Sequence, residues 1–208
     1  MALIKKHTAP VAQKFPDLVS LEDAIRFYQE SAGDLDAQRY ATDNIALFEG
    51  GGIKLVSLMS DDPRIDKDMA SYISSLLTAM EPDRAPIEAI MGLLSVRNAY
   101  IRNLGITTLQ SYGEAIRYYI VKFLIGDDRD LRIFAINVLG DVNFAESREM
   151  LVELLESELD INVASTAVDY LSEIGEIGDI PLLESIKERF HDPYIDFAVD
   201  TTIKAIRG

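Results

Sequence analysis

The stretch Leu131-Arg132-Ile133-Phe134-Ala135-Ile136-Asn137-Val138-Leu139-Gly140-Asp141-Val142 holds apolar side chains at Leu131, Ala135, Leu139 and Val142. Those positions fall on one side of a helix that turns every ~3.6 residues. The stripe returns 32 residues later as Val163, Ala167, Leu171 and Ile174, and 32 further on as Ile195, Val199, Ile203 and Ile206. Thirty residues earlier it is Ile101, Gly105, Leu109 and Tyr112. Two more steps back, of 32 each, reach Met69, Ile73, Leu77 and Met80, then Ala37, Ala41, Ile45 and Phe48. Six windows in a held register are an internal repeat.

A second apolar segment lies between the windows: Ile53 to Met59, Pro86 to Leu94, Glu114 to Ile125, Glu146 to Leu155 and Pro181 to Phe190. Asp179 before Pro181, and Asp192 before Pro193, set a capping acid beside a proline in a first turn, where the missing amide costs nothing. Gly126, Gly140, Gly175 and Gly178 fall in the joints, where left-handed backbone ends a helix. Ser20 followed by Asp23 approximates a capping box and opens a helix at Leu21. No alternating β-branched run argues for a sheet. A helix pair of about 30 residues cannot bury its own apolar face and must stack on neighbours. The expected fold is therefore all-α: an α-solenoid of antiparallel helix pairs with about six repeats. It spans residues 20–208, after an extended arm at 1–19 that contains Pro10 and Pro16.

Composition narrows the function. Lysine and arginine number 20 against 35 acids, a net charge of −15 that disfavours nucleic acid and anionic membranes as partners. The absence of cysteine excludes disulfides, thiolate metal sites and cysteine catalysis, and two histidines, His7 and His191, are too few for a multi-histidine metal site. The run Ala2-Leu3-Ile4 is far shorter than a signal peptide requires, and no segment approaches ~18 consecutive apolar residues. The expected location is the cytoplasm. The acids are unevenly spread: residues 127–208 hold 19 of them against 7 bases, with Glu146, Glu149, Glu153, Glu156 and Glu158 in one repeat. Such a surface either serves solubility or steers a basic partner by long-range attraction.

At Asp130-Leu131-Arg132-x-x-Ala135-x-x-x-Leu139-Gly140-Asp141, ahead of an apolar second helix, the sequence resembles the HEAT-repeat family, particularly its short, phycobilisome-lyase-like type. Ile101-Arg102-x-x-Gly105-x-x-x-Leu109 fits with glycine where alanine is usual. Val163-x-x-x-Ala167-x-x-x-Leu171-x-x-Ile174-Gly175 fits with Ala164 in place of the arginine, and the windows from Ala37 and Met69 keep only the stripe. The resemblance covers roughly residues 35–208. It implies that the first helix of each pair lines a concave face. It also implies that Arg102 and Arg132 reach acids in the preceding repeat, for which Asp128, Asp130 and Asp160 are the candidates. A fold hosts many functions, and the bilin-handling members of the family make a phycobilin lyase-like protein the alternative reading.

Candidate reactive sites reduce to local structure. The acidic runs around Asp61, Asp62, Asp66 and Asp68, and around Asp127, Asp128 and Asp130, lack the ligand spacing, glycine and closing glutamate of a calcium loop. They read as acids at the positive ends of helices. Gly50-Gly51-Gly52, before a helix starting at Ile53, lacks the Gly-Lys-Ser/Thr ending of a phosphate loop. His191 reads as a helix-end residue, since one histidine builds neither a di-iron centre nor a triad with the groups around it. No catalytic, cofactor-binding or metal-binding residue is expected. The leading expectation is a non-catalytic adaptor or scaffold that offers a concave helix face and an acidic C-terminal half to a basic or mixed-charge protein. Arg39, Tyr40, Asp43, Tyr72, Asn103, Phe134, Asn137 and Asp169 are the expected contact residues, pointing away from the core on the first helices. Tyr40, Tyr72 and Phe134 share one repeat position. They form a row that serves either as binding anchors or as half-buried packing.

Overall fold

A hydroxyl and a series of carboxylate and amide side chains start the helices of the structure, a computed structural model that describes residues 15–62, 65–142 and 144–208. Ser20 accepts the Asp23 amide at 3.1 Å and opens α1 (Leu21–Glu30), as its capping pattern predicts. Asp34, Asp66, Asn98, Asp128, Asp160 and Asp192 then each accept a first-turn amide at 2.8–3.0 Å. They recur with the spacing of the six stripes. The helices they open are α2 (Leu35–Leu47), α4 (Lys67–Thr78), α6 (Ala99–Gln110), α8 (Arg129–Asp141), α10 (Ile161–Ile174) and α12 (Pro193–Arg207). Each cap satisfies amides that have no partner inside the helix.

Between these first helices run the second helices. They are α3 (Gly51–Asp61), α5 (Ile87–Gly92), α7 (Arg117–Leu124), α9 (Ser147–Ser157) and α11 (Ile180–Phe190). Short 3-10 turns adjoin α5, α7 and α11 at Leu93–Ser95, Gly113–Ile116 and Ile177–Asp179. No strand occurs among the described residues. The first helices pack on one another in series, and α1 closes that layer against α2. The second helices form the other layer, with less contact between neighbours. Closer spacing in the first layer places it on the inner side of the stack. The chain is an α-solenoid of antiparallel helix pairs, as its periodicity predicts.

The stripe is the core. Ala37, Ala41, Ile45, Met69, Ile73, Leu77, Ile101 and Leu109 are buried, and so are Ala135, Leu139, Val163, Ala167, Leu171, Ile195 and Val199. Four hydroxyls within this interior are matched across repeat boundaries, whereas the buried Ser165 hydroxyl finds no partner among the described residues. Ser74 and Thr108 share a hydrogen bond of 2.8 Å, Thr202 donates to the Val168 carbonyl at 3.0 Å, and the buried Tyr112 hydroxyl donates to the Leu77 carbonyl.

Several local expectations are corrected. Among the described residues, the positive-φ glycines are Gly33, Gly50, Gly113 and Gly208, with His191 as the non-glycine case at φ 50°. Gly126, Gly140, Gly175 and Gly178 are not among them. Gly140 lies within α8, and a Cβ there would stand 1.7 Å from the Tyr170 ring. The helix after the glycine triplet starts at Gly51, not Ile53, and a Cβ on Gly51 would stand 1.7 Å from the Ile45 carbonyl oxygen. Asp179 does not cap α11: its carboxylate takes the Glu176 amide and the Arg148 guanidinium. The arm expected at 1–19 falls largely on residues 1–14, which lie outside the described residues.

Two predictions follow from the packing. Gly51→Ala should cost about 1–3 kcal/mol in chemical denaturation, because its methyl meets backbone instead of a movable side chain. Gly92→Ala, with nothing within 4 Å, should be neutral or stabilising by up to about 1 kcal/mol. The second concerns pH. Burial pushes the Tyr112 hydroxyl up to about 12 from 10.0, so the native state holds this proton where the unfolded chain has lost it. Stability is complete below the unfolded value and falls as pH rises through the folded one. Tyr112→Phe should remove that alkaline slope, and parallel wild-type and variant curves would count against it.

Candidate interaction surface

The outward side of the first-helix layer is tied together by contacts that run from each helix to the next. The Arg39 guanidinium carbon lies 5.2 Å from the centroid of the Tyr72 ring, and the Tyr72 hydroxyl donates to Asp43 at 2.7 Å. That hydrogen bond, followed by desolvation, raises the Tyr72 pKa above its ordinary value. One repeat on, the hydroxyls of Ser71 and Tyr100 meet at 2.5 Å, and the Lys67 ammonium lies 5.2 Å from the Tyr100 ring centroid. Arg102 stands 4.9 Å from the Phe134 ring centroid. Gln110 then donates to the Asn137 carbonyl at 3.1 Å and to Asp141 at 2.7 Å. Cations over ring faces are favoured by the negative π surface, more so when partly desolvated.

The expected contact residues are thus divided. Arg39, Asp43 and Tyr72 form one cluster across α2 and α4. Phe134 sits under Arg102, and Asn137 is held by Gln110. Asn103 and Asp169 are exposed on α6 and α10. The Asp169 carboxyl has its pKa raised by desolvation and makes no ion pair among the described residues. Tyr40 is used differently. Its ring stacks on Phe15 at 5.0 Å and meets Phe27 edge-on at 6.2 Å, while its hydroxyl donates to the Pro16 carbonyl at 3.0 Å. The aromatic row is half-buried packing in each case.

Sequence reasoning missed Lys67, Tyr100, Gln110 and Tyr170 as members of this face. Their signal is a separation near one repeat length from their partners, which a single helix's outward positions do not reveal. Arg102 and Arg132 are structural, but not through the acids expected. Arg102 donates to the carbonyls of Val96 and Arg97 at 2.9 and 3.1 Å. Arg132 pairs with Glu158 at 2.9 Å and donates to the Gly126 carbonyl at 2.7 Å. Asp128 and Asp160 are occupied as helix caps, and Asp130 pairs with Arg129, which leaves Glu158 in the loop after α9 as the acceptor. Glu158 also takes the amides of Leu159 and Asp160, and its carbonyl accepts from Arg189. One residue therefore joins two repeats, its side chain holding α8 and its backbone carbonyl α11.

Among the described residues, no group of three or more His, Cys, Asp or Glu is placed to hold a metal ion. No helix among them is long and apolar enough to cross a membrane.

Residues 119–198 match the family model of HEAT repeats, as the Arg132 segment's resemblance anticipates. Among solved structures, an engineered protein is similar at 17% identity and TM-score 0.43, over 90% of this chain and 96% of that one. A designed armadillo repeat protein in complex with the peptide (KR)4 is similar at 13% identity and TM-score 0.44, over 90% and 99%. The complex of CpcE and CpcF of phycocyanin lyase from Nostoc sp. is similar at 13% and 0.33, over 94% and 97%. No curated protein sequence matches the chain.

The Arg132–Glu158 pair is almost wholly removed from water, with side chains 15% and 5% exposed. Removing one partner strands the other charge, so Glu158→Ala should cost about 3–5 kcal/mol, whereas Arg132→Met with Glu158→Leu should recover most of it. Equal destabilisation of the single and double variants in urea titrations would contradict the pairing.

Proposed function

We propose that this chain is a non-catalytic protein-binding scaffold whose first-helix face and acidic C-terminal half receive a basic or mixed-charge protein segment. The observation that carries this reading is the ladder of cross-helix ties. Arg39, Tyr72, Asp43, Phe134 and Asn137 are held by neighbours before any partner arrives, so little rotamer entropy is left to lose on binding. The half-exposed rings of Tyr72 and Phe134 supply apolar contact at low entropic cost. Asn103 and Asp169 supply polar groups further along the same layer, and the carboxylate of Asp169 gains by meeting a cation. The excess of acids over bases in residues 127–208 steers a basic partner toward that end. Tyr40 contributes as the seat of Phe15 and Pro16, and so shapes the N-terminal edge of the face.

The experiment is affinity capture of a partner followed by titration of the purified pair. Tyr72→Ala combined with Asn103→Ala and Asp169→Asn should weaken binding by at least about tenfold with an unchanged helical spectrum. Affinity should also fall as ionic strength rises above ~0.15 M. A partner that binds the triple variant as tightly as the native chain would overturn the assignment to this face.

A further inference from the structure

The second-helix layer is interrupted. α5 packs on α7, and α9 on α11, but direct packing between α7 and α9 is slight, and a cleft of about 460 Å³ opens between them. That volume lies in the range of ligand-binding clefts, ~300–1,000 Å³. Val121, Leu124 and Ile125 form one wall, and Met150, Leu154 and Leu159 the other. Arg132 and Glu158, tied to each other, also line it. Ile125 is 78% exposed and Leu159 80%, so two large aliphatic side chains stand in water at the lips of an apolar channel. Contiguous apolar surface of this kind marks a place where something is buried.

Charge says what fits there. Asp127 and Glu153 line the cleft, and Glu149, Glu153 and Glu156 are exposed on successive turns of α9 beside it. Glu149 is met by Arg148 at 3.3 Å, whereas Glu153 and Glu156 make no side-chain ion pair among the described residues. We infer that the α7–α9 cleft docks an amphipathic helix of a protein partner. Its apolar stripe fills the space between the two helices, and its flanking lysines or arginines face Asp127, Glu153 and Glu156. The eleven residues of α9 span about 16 Å, which suits a partner helix of about three turns. Such a helix supplies the helix–helix contact that this layer makes elsewhere, in the helix-in-groove mode. A small apolar molecule at the bottom of the channel would leave Ile125 and Leu159 in water. This surface is on the opposite layer from the face proposed above and does not depend on that reading.

The test is fluorescence anisotropy with a labelled helical probe of about 12 residues, bearing leucines at i, i+3, i+4 and i+7 with lysines beside them. A second probe carries glutamates in place of the lysines. The lysine probe should saturate the native chain, and the glutamate probe should not. Ile125→Asp and Leu159→Asp should each weaken the lysine probe by at least about tenfold, with helical spectrum and Tm unchanged because both side chains are exposed. Each substitution adds negative charge, so the loss reports apolar contact and not repulsion. Glu153→Gln with Glu156→Gln should weaken binding and flatten its salt dependence, while Tyr72→Ala should bind as the native chain does. The inference is overturned if the aspartate variants bind the lysine probe undiminished, if both probes bind equally, or if Tyr72→Ala abolishes binding. Should Ile125→Asp alter the helical spectrum, Leu159→Asp decides the matter.

Discussion

Lateral contact between one first helix and the next is the constraint on which this molecule depends. A helix pair of this length has too little interior to fold alone, so each stripe finds its cover partly in the neighbouring repeat. The contact has two depths. Inside, apolar stripes mesh, and two polar pairs cross the boundary, Ser74 with Thr108 and Thr202 with the Val168 carbonyl. A buried hydroxyl left without its partner costs more than the bond itself contributes. These pairs therefore hold the register of one helix against the next. Outside, the cation–π contacts of Arg39, Lys67 and Arg102 repeat the same step at the surface.

The surface ties set a limit on recognition. A side chain that holds two repeats together has already spent some of its bonding capacity. Asp43 takes the Tyr72 hydroxyl, and Asn137 is engaged through its carbonyl by Gln110. What these groups retain for another molecule is their outer edges, at positions the packing determines. Binding on such a face trades strength per residue for spacing that does not relax. Asp169 has the opposite character: it is exposed and makes no ion pair among the described residues, and desolvation raises its pKa, so a partner's positive charge gains more there than at a carboxylate already paired.

The sequence made the repeat legible because the repeat is local. A stripe of four positions belongs to one helix, and its burial at Ala135, Leu139, Val163, Ala167 and Leu171 follows from helical geometry alone. The second helices were legible for the same reason, to within a few residues at their ends. What escaped was set by how one helix sits against another. Arg132 reaches Glu158 and not the nearer acids because those acids are committed to helix caps and to Arg129. Gly140 reads as a joint in sequence, yet its role is to admit the ring of Tyr170 from the next repeat. The contact face was legible as positions on helices, but not as the clusters that those positions form, since the partner of each residue lies about one repeat away.

The two layers respond differently to being stacked. In the first layer, small residues such as Ala70, Ser74, Ala164 and Val168 are buried toward the next helix and allow close approach. The corresponding positions of α12 are Asp196 and Asp200, and Lys187 holds Asp200 at 2.8 Å. In the second layer, bulky side chains such as Val121, Ile125, Met150 and Leu154 line the space between α7 and α9. Where both walls are bulky and the inner layer fixes the spacing, the outer helices part instead of meshing. The opening between α7 and α9 is thus a consequence of close packing on the other side of the stack, and its apolar lining is core surface that this spacing leaves uncovered.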